Sequence, residues 1–141
     1  MSEGNFFNEA ALARLHRLGG DKLVCKIIEI FLRNAPQRLE AALRGENNGD
    51  LKTIERAVHS LRSSAANVGA VTLQKLAGQI EELAEDGEWT SIPERLRELE
   101  TVYYRVAARL KNEMKGKEMK KIAIVELYFR LNETTRHSDR R

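Results

Sequence analysis

The sequence predicts an all-α protein, an up-down antiparallel four-helix bundle with a short extra helix at the N-terminus. Three observations favour this fold. Apolar residues recur every three or four positions through most of the chain, which is the helical period. Only two Pro and nine Gly interrupt the 141 residues. The segments between periodic stretches are short, so successive long helices should be antiparallel neighbours.

A pair of glycines separates the first two predicted helices. Asn8 is a good N-cap for a short first helix, which Gly19 and Gly20 end. A second, longer helix should begin near Asp21. Its apolar stripe continues beyond Pro36, which either kinks the helix or opens a new turn after a break.

Turn residues mark the remaining boundaries. The cluster "GENNGD" ends the second helix, and its last residue, Asp50, is a suitable N-cap for the third. The third helix runs as far as Gly69. A fourth occupies about residues 73–87, and the last begins at "SIPE".

The chain divides into a bundle domain, residues 1–114, and a basic tail, residues 115–141. The first part holds 16 Lys and Arg against 17 Asp and Glu, whereas the tail holds 8 against 4. The bundle therefore lacks the basic field that nucleic-acid binding needs. "IAIV" and "YF" are typical of strands, so we predict an irregular or strand-like tail.

Composition favours a cytoplasmic protein. The single cysteine, Cys25, rules out a disulfide within the chain. The first ten residues do not resemble a signal peptide, and no apolar run is long enough to cross a membrane. The three histidines are scattered without metal-ligand spacing, so no metal site is predicted. The acidic run "EELAED", residues 81–86, is interpreted as a solvated helix face.

The third helix carries a histidine away from its apolar stripe. On a helical wheel with about 100° per residue and Leu51 at 0°, the apolar stripe centres near 300°, whereas His59 falls at about 80°. The residues that follow on this face are short, namely Ser63, Ala66 and Asn67, and leave the imidazole accessible. Arg62, one turn on, would suit the oxygens of a phosphoryl group on the imidazole. A neutral imidazole nitrogen is a nucleophile at cellular pH.

The stretch "AVHSLRSSAANVGA", residues 57–70, resembles the signature of histidine-containing phosphotransfer (HPt) domains, which reads roughly H-S-L-K-G-S-A-A-N-L-G-A. "LGGD", "FLRNAP" and the "GD" turn extend the resemblance over about residues 5–113. The resemblance implies a phosphorelay intermediate and not an enzyme. His59 would accept a phosphoryl group from a receiver-domain phospho-aspartate and pass it to another receiver aspartate.

The resemblance also implies roles for the neighbours of His59. Receiver domains of hybrid sensor kinases and response regulators would be the partners, and the receiver would hold Mg²⁺, so that this chain needs no cofactor. Arg62 would stabilise the phosphoryl group. The residues expected to contact the receiver are Glu55, Arg56, Ala66 and Asn67.

Two positions depart from the family pattern. Arg62 replaces the usual Lys, which keeps the charge and adds a fork of donors. Ser63 replaces the usual Gly, so that it adds a hydrogen bond but reduces the clearance around the imidazole. We expect this change to slow transfer or to narrow the choice of receiver.

Other interpretations stay open. The chain would be a non-phosphorylated helical adaptor if the same face only binds receivers or a helical partner. The dimerising helix of a sensor kinase is a third hypothesis, but it requires an ATP-binding domain, of which no motif is present. In the tail, "MKKIAIVE" resembles a truncated start of a receiver domain. We expect a monomer, with a dimer through the tail as the alternative.

Overall fold

The computed structural model describes residues 6–139, and side chains within residues 6–117 and 123–131. Regular structure in residues 6–139 is entirely helical, in four elements: α1, Glu9–Asn48; α2, Leu51–Val68; α3, Val71–Glu85; and α4, Ile92–Asp139. Each helix packs on the next, and α4 returns to α1. The four helices therefore enclose one core.

The first helix is interrupted where the sequence has its glycine pair. Asn8 caps α1 by accepting a hydrogen bond from the Ala10 N–H at 3.0 Å. Gly20 has φ 68° and ψ −164°, which breaks the helical path within α1. The helix continues through Pro36 to Asn48, so that most of "GENNGD" is helical and the turn shrinks to Gly49 and Asp50.

The ends of α2 are held by side-chain and backbone hydrogen bonds. Asp50 accepts from the backbone N–H of Thr53 at 3.2 Å and from its hydroxyl at 2.6 Å. The bond from the Thr53 hydroxyl, and after it the bond from the Thr53 N–H, favour the ionised carboxyl and lower the pKa of Asp50 from its ordinary value. At the other end Gly69 has φ 79°, and its carbonyl accepts from Asn8 N–H at 2.7 Å. The chain entering α1 is thereby tied to the end of α2.

The core consists of the apolar stripes that the sequence shows. The stripe predicted for α2 is almost completely buried, with each residue at most 1% exposed: Ile54, Val58, Leu61, Ala65 and Val68. Phe6 and Phe7 cover the end of the core where α2 meets α3. The guanidinium carbons of Arg105 and Arg109 lie 4.4 and 4.9 Å from these two ring centroids.

The prediction of an irregular or strand-like tail is wrong. Helix α4 passes residue 114 without a break and extends to Asp139. A strand needs a neighbouring strand for its backbone hydrogen bonds, whereas an existing helix can be extended at one new internal bond per residue. The β-branched residues of "IAIV" disfavour this helical extension only weakly. No helix of the described part is long and apolar enough to cross a membrane.

Candidate functional site

His59 lies on the outer face of α2, where it meets a carboxylate from α3. Its side chain is 58% exposed, in contrast to the buried stripe on the other side of the same helix. Nδ1 of His59 lies 2.6 Å from Oε2 of Glu81. The imidazole is therefore held at one nitrogen although most of the ring faces solvent.

Glu81 is the site residue that the sequence did not reveal. It belongs to the acidic run "EELAED", interpreted above as a solvated face, yet Glu81 is only 8% exposed and is the one buried charged residue in the described part of the chain. Its position follows Ala77 by four residues and precedes Ala84 by three, and both alanines are in the core. This helical spacing is the signal that marks Glu81 as different from its acidic neighbours.

The same carboxylate also holds Arg62. Nη1 of Arg62 lies 3.0 Å from Oε1 of Glu81, which is within ion-pair distance. Oε1 nevertheless receives no hydrogen bond of good geometry from the described residues, so we treat this contact as electrostatic. A Cβ on Gly78 would lie 3.4 Å from Cδ of Arg62. The bare backbone at Gly78 thus leaves the arginine room to lie against α3.

The contact with Glu81 determines which nitrogen of a neutral His59 ring carries the proton. An ionised carboxylate only accepts hydrogen bonds, so the proton of the neutral ring belongs on Nδ1. The lone pair is then on Nε2, the nitrogen that Glu81 does not engage. In the neutral form of the ring this arrangement fixes the tautomer and leaves Nε2 with the nucleophilic lone pair, while the Arg62 guanidinium lies at the same carboxylate.

The other predicted site residues surround His59 on α2. The Ser63 hydroxyl donates to the backbone carbonyl of His59 at 3.4 Å and is thus directed to the helix backbone. Arg56, Ala66 and Asn67 are exposed, and Glu55 is half-buried. The structure therefore brings Arg62 and His59 together at Glu81, while the remaining residues form the surface around them.

A second histidine has a comparable environment elsewhere. Nε2 of His16, in the first part of α1, lies 3.2 Å from Oδ1 of Asp21, and the imidazole side chain is also 58% exposed. Nζ of Lys117 lies 3.0 Å from the same carboxylate oxygen. His16 thus shares the exposure of His59 and a carboxylate neighbour, and it offers a matched comparison.

A protein-family model for the Hpt domain matches residues 26–109. This match spans α2, α3 and the parts of α1 and α4 that pack on them, so it includes His59, Arg62 and Glu81. No curated protein matches the chain.

Several solved structures share the fold. Histidine-containing phosphotransfer protein B (HptB) from Pseudomonas aeruginosa PAO1 is 24% identical, with a TM-score of 0.74 over 78% of this chain and 95% of that protein. ZmHP2 from maize is 18% identical, with a TM-score of 0.75 over 84% and 90%. MtHPt2 from Medicago truncatula is 20% identical, with a TM-score of 0.75 over 86% and 85%. At these identities the likeness concerns the fold.

Proposed function

The chain belongs to the Hpt domain family, whose members are phosphocarriers that interact with receiver domains in two-component phosphorelays, and from this premise we propose that His59 is its phosphoacceptor. The observation that carries the proposal is the contact of Nδ1 with Glu81 at 2.6 Å. This contact directs the free lone pair to Nε2 of an exposed imidazole.

In the proposed reaction the phosphoryl group comes from a phospho-aspartate of a receiver domain. Nε2 of His59 attacks phosphorus in line, the N–P bond forms, and the P–O bond to the aspartate breaks with release of its carboxylate. The proton on Nδ1 stays between His59 and Glu81 throughout. The reverse steps, with a second receiver, transfer the group onward. Mg²⁺ held by the receiver would supply charge neutralisation for the oxygens of the transferring group.

Glu81 offsets the charge that the reaction creates on the ring. Attack through Nε2 turns the neutral imidazole into a phosphorylated imidazolium with its proton on Nδ1. A carboxylate at that proton stabilises the cation by a charge-assisted hydrogen bond. Because the same tautomer is left when the group departs, neither direction of transfer requires a proton to enter or leave the site.

Arg62 is proposed to bind the phosphoryl oxygens. A guanidinium has five N–H donors, and Glu81 engages it through Nη1, so other donors remain for the phosphoryl group. Loss of one such charge-assisted interaction costs about 1.5–3 kcal/mol, which corresponds to a roughly 10- to 150-fold slower transfer in Arg62→Ala.

The receiver is proposed to dock on the surface formed by Arg56, Ser63, Ala66 and Asn67. All four side chains are exposed beside His59 on α2. Three of them are small or short, so a receiver can bring its aspartate close to the imidazole. Arg56 adds a cation at the edge of this surface for an acidic receiver face.

The test is transfer of labelled phosphoryl from phosphorylated receiver domains of the host to the full chain. We expect acid-labile label on the wild type and on His16→Gln, and none on His59→Gln. His16 is the matched control because it has the same exposure and a carboxylate neighbour. If no receiver labels the wild type but receivers bind it, the chain is a helical adaptor and the proposal fails.

A further inference from the structure

The C-terminal part of α4 presents an apolar face that the described chain does not cover. Six large apolar side chains within residues 123–131 are between 44% and 67% exposed, Leu131 and five that precede it: Ile124, Val125, Leu127, Tyr128 and Phe129. We call these five residues the α4 patch. Each aromatic side chain has an area of about 150–250 Å². With the exposed fractions of all five residues, the patch leaves on the order of 600 Å² of apolar surface in water. That is at the upper limit for ordinary monomers, about 300–600 Å².

The α4 patch continues the side of α4 that faces the bundle. Leu96, Tyr103 and Leu110 follow one another at intervals of seven and are buried. The next position, Lys117, reaches Asp21 beside the break in α1 and is 20% exposed at its side chain. Ile124 follows after seven more residues, about 20° from Lys117 and about 40° from Leu110 around the helix, and is 67% exposed. The core-facing side of α4 thus extends beyond the place where α1 turns away.

The spacing within the α4 patch suits another helix. Ile124, Leu127 and Tyr128 stand at i, i+3 and i+4, the pattern by which helices bury a stripe against each other. The bundle itself cannot supply that helix, because α4 is continuous and the sequence from Lys117 to Leu131 has no Pro or Gly at which it would fold back.

The polar side of this segment argues against a lipid surface as the occupant. A helix that lies on an anionic membrane carries an excess of Lys and Arg along its polar face. Between residues 123 and 131 the charged residues are Glu126 and Arg130, whose charges cancel. Along the patch itself there is thus no excess of positive charge to hold the helix on anionic lipid. The lysines of the tail precede the patch, within residues 115–121, so the lipid surface is the competing outcome that the test must separate.

We propose that the α4 patch is the interface of a homodimer, in which the α4 extensions of two copies pack on each other. A second copy brings an identical apolar stripe, so that a twofold axis satisfies both faces at once. Two patches together would bury about 1,200 Å², the lower bound for specific, stable interfaces. The α4 patch lies outside the His59 site, so the dimer does not require phosphotransfer.

Sedimentation equilibrium of the full chain over a concentration series tests the dimer. The wild type and His59→Gln should approach twice the 16.1 kDa chain mass, with dissociation on dilution. Tyr128→Glu places a charge in the middle of the patch and should remain monomeric. Ala123→Glu adds the same charge and the same helix-forming residue about 140° away from Tyr128 around the helix. It lies one turn before Leu127, at the edge of the patch, so it should weaken dimerisation much less than Tyr128→Glu.

Three results would overturn the proposal. The wild type sediments as a monomer at every concentration, or Tyr128→Glu still dimerises, or Ala123→Glu is as disruptive as Tyr128→Glu. Flotation with phosphatidylcholine vesicles containing phosphatidylserine tests the alternative that the α4 patch binds a lipid surface. Tyr128-dependent binding of a monomeric wild type to these vesicles would assign the patch to a membrane. Circular dichroism of each variant checks that the helix content is unchanged.

Discussion

Glu81 gives the His59 site its asymmetry, because it engages one nitrogen of the imidazole and leaves the other. Glu81→Gln keeps an acceptor oxygen for the Nδ1 proton but removes the charge, whereas Glu81→Ala removes both. We expect phosphorylation of His59 to slow in the order wild type, Glu81→Gln, Glu81→Ala, with a loss of about 10- to 100-fold for alanine. Initial rates of labelling from one phosphorylated receiver measure this order.

The control for the Glu81 variants is a neighbouring acidic residue that does not contact His59. Glu82 is exposed and adjacent in sequence, so Glu82→Ala should label at the wild-type rate. Equal rates for Glu81→Ala and Glu82→Ala would show that the Nδ1 contact has no role in the reaction.

We expect Ser63 to limit how closely a receiver can approach the imidazole. Its hydroxyl bonds to the helix backbone, so removing it should leave the chemistry intact and increase the clearance. Ser63→Gly should raise kcat/KM for transfer by several-fold, mainly through a lower KM. It should also cost about 0.5–1 kcal/mol of stability, since glycine is unfavourable inside a helix.

Ser64 supplies the matched control for that change. Its hydroxyl makes the equivalent bond to the Ser60 carbonyl at 3.1 Å, and it lies about 100° further round α2. Ser64→Gly should therefore lose similar stability without any gain in transfer, as determined by thermal unfolding and labelling. A gain in both variants would point to helix flexibility and not to clearance.

For single residues, the sequence predicted that His59 lies outside the core, but it did not predict that Glu81 is buried beside it. The position of His59 outside the apolar stripe follows from the period of one helix, and the structure has its side chain exposed. The contact with Glu81 joins residues 22 apart on two helices. It depends on the rotation and axial offset of α3 against α2, which periodicity within each helix does not define.

The ends of the helices depend on glycines whose surroundings differ. Gly49 and Gly69 both have positive φ just after a helix, but a Cβ on Gly49 meets nothing within 4 Å. A Cβ on Gly69 collides with the carbonyl oxygen of Asn8 and lies 2.9 Å from Cβ of Ala11. Gly49→Ala should therefore cost about 1 kcal/mol from the backbone conformation alone, and Gly69→Ala about 2–4 kcal/mol.

Denaturant unfolding of the two variants measures that difference. Because the collision at Gly69 involves backbone, the segment that enters α1 must move, and the Asn8 N–H bond to the Gly69 carbonyl at 2.7 Å weakens with it. Equal losses for the two alanines would mean that this segment is too loosely held to resist the substitution.

Among the elements, those with local end signals were predicted best. Asn8, Asp50 and Gly69 lie at the helix ends that they mark in the sequence, because a cap depends on a few neighbouring atoms. The end of α4 was predicted wrongly, since strand preference is a weak property of single residues and says nothing about the availability of a partner strand. The helix that already runs through residue 114 decides the conformation beyond it.

In the whole molecule the His59 site and the α4 patch lie at separate levels of the long axis. His59 is ten residues from Gly69, or about 15 Å along α2. Gly69 contacts Asn8, and the residue after Asn8, Glu9, pairs with Arg109. Gly69 and Arg109 are therefore at about the same level of the bundle. Ile124 lies fifteen residues beyond Arg109 on α4, about 22 Å in the opposite direction.

This separation of roughly 35 Å along the axis leads to a prediction about the two surfaces together. A receiver covers about 800 Å² of its partner, which fits around His59 without reaching the α4 patch. Tyr128→Glu should therefore accept phosphoryl groups at a rate within about twofold of the wild type, although it no longer dimerises. A tenfold loss of labelling in Tyr128→Glu, with Ala123→Glu unaffected, would contradict this independence. It would mean that the receiver docks across both copies, because the α4 extension then contributes to the surface that presents His59.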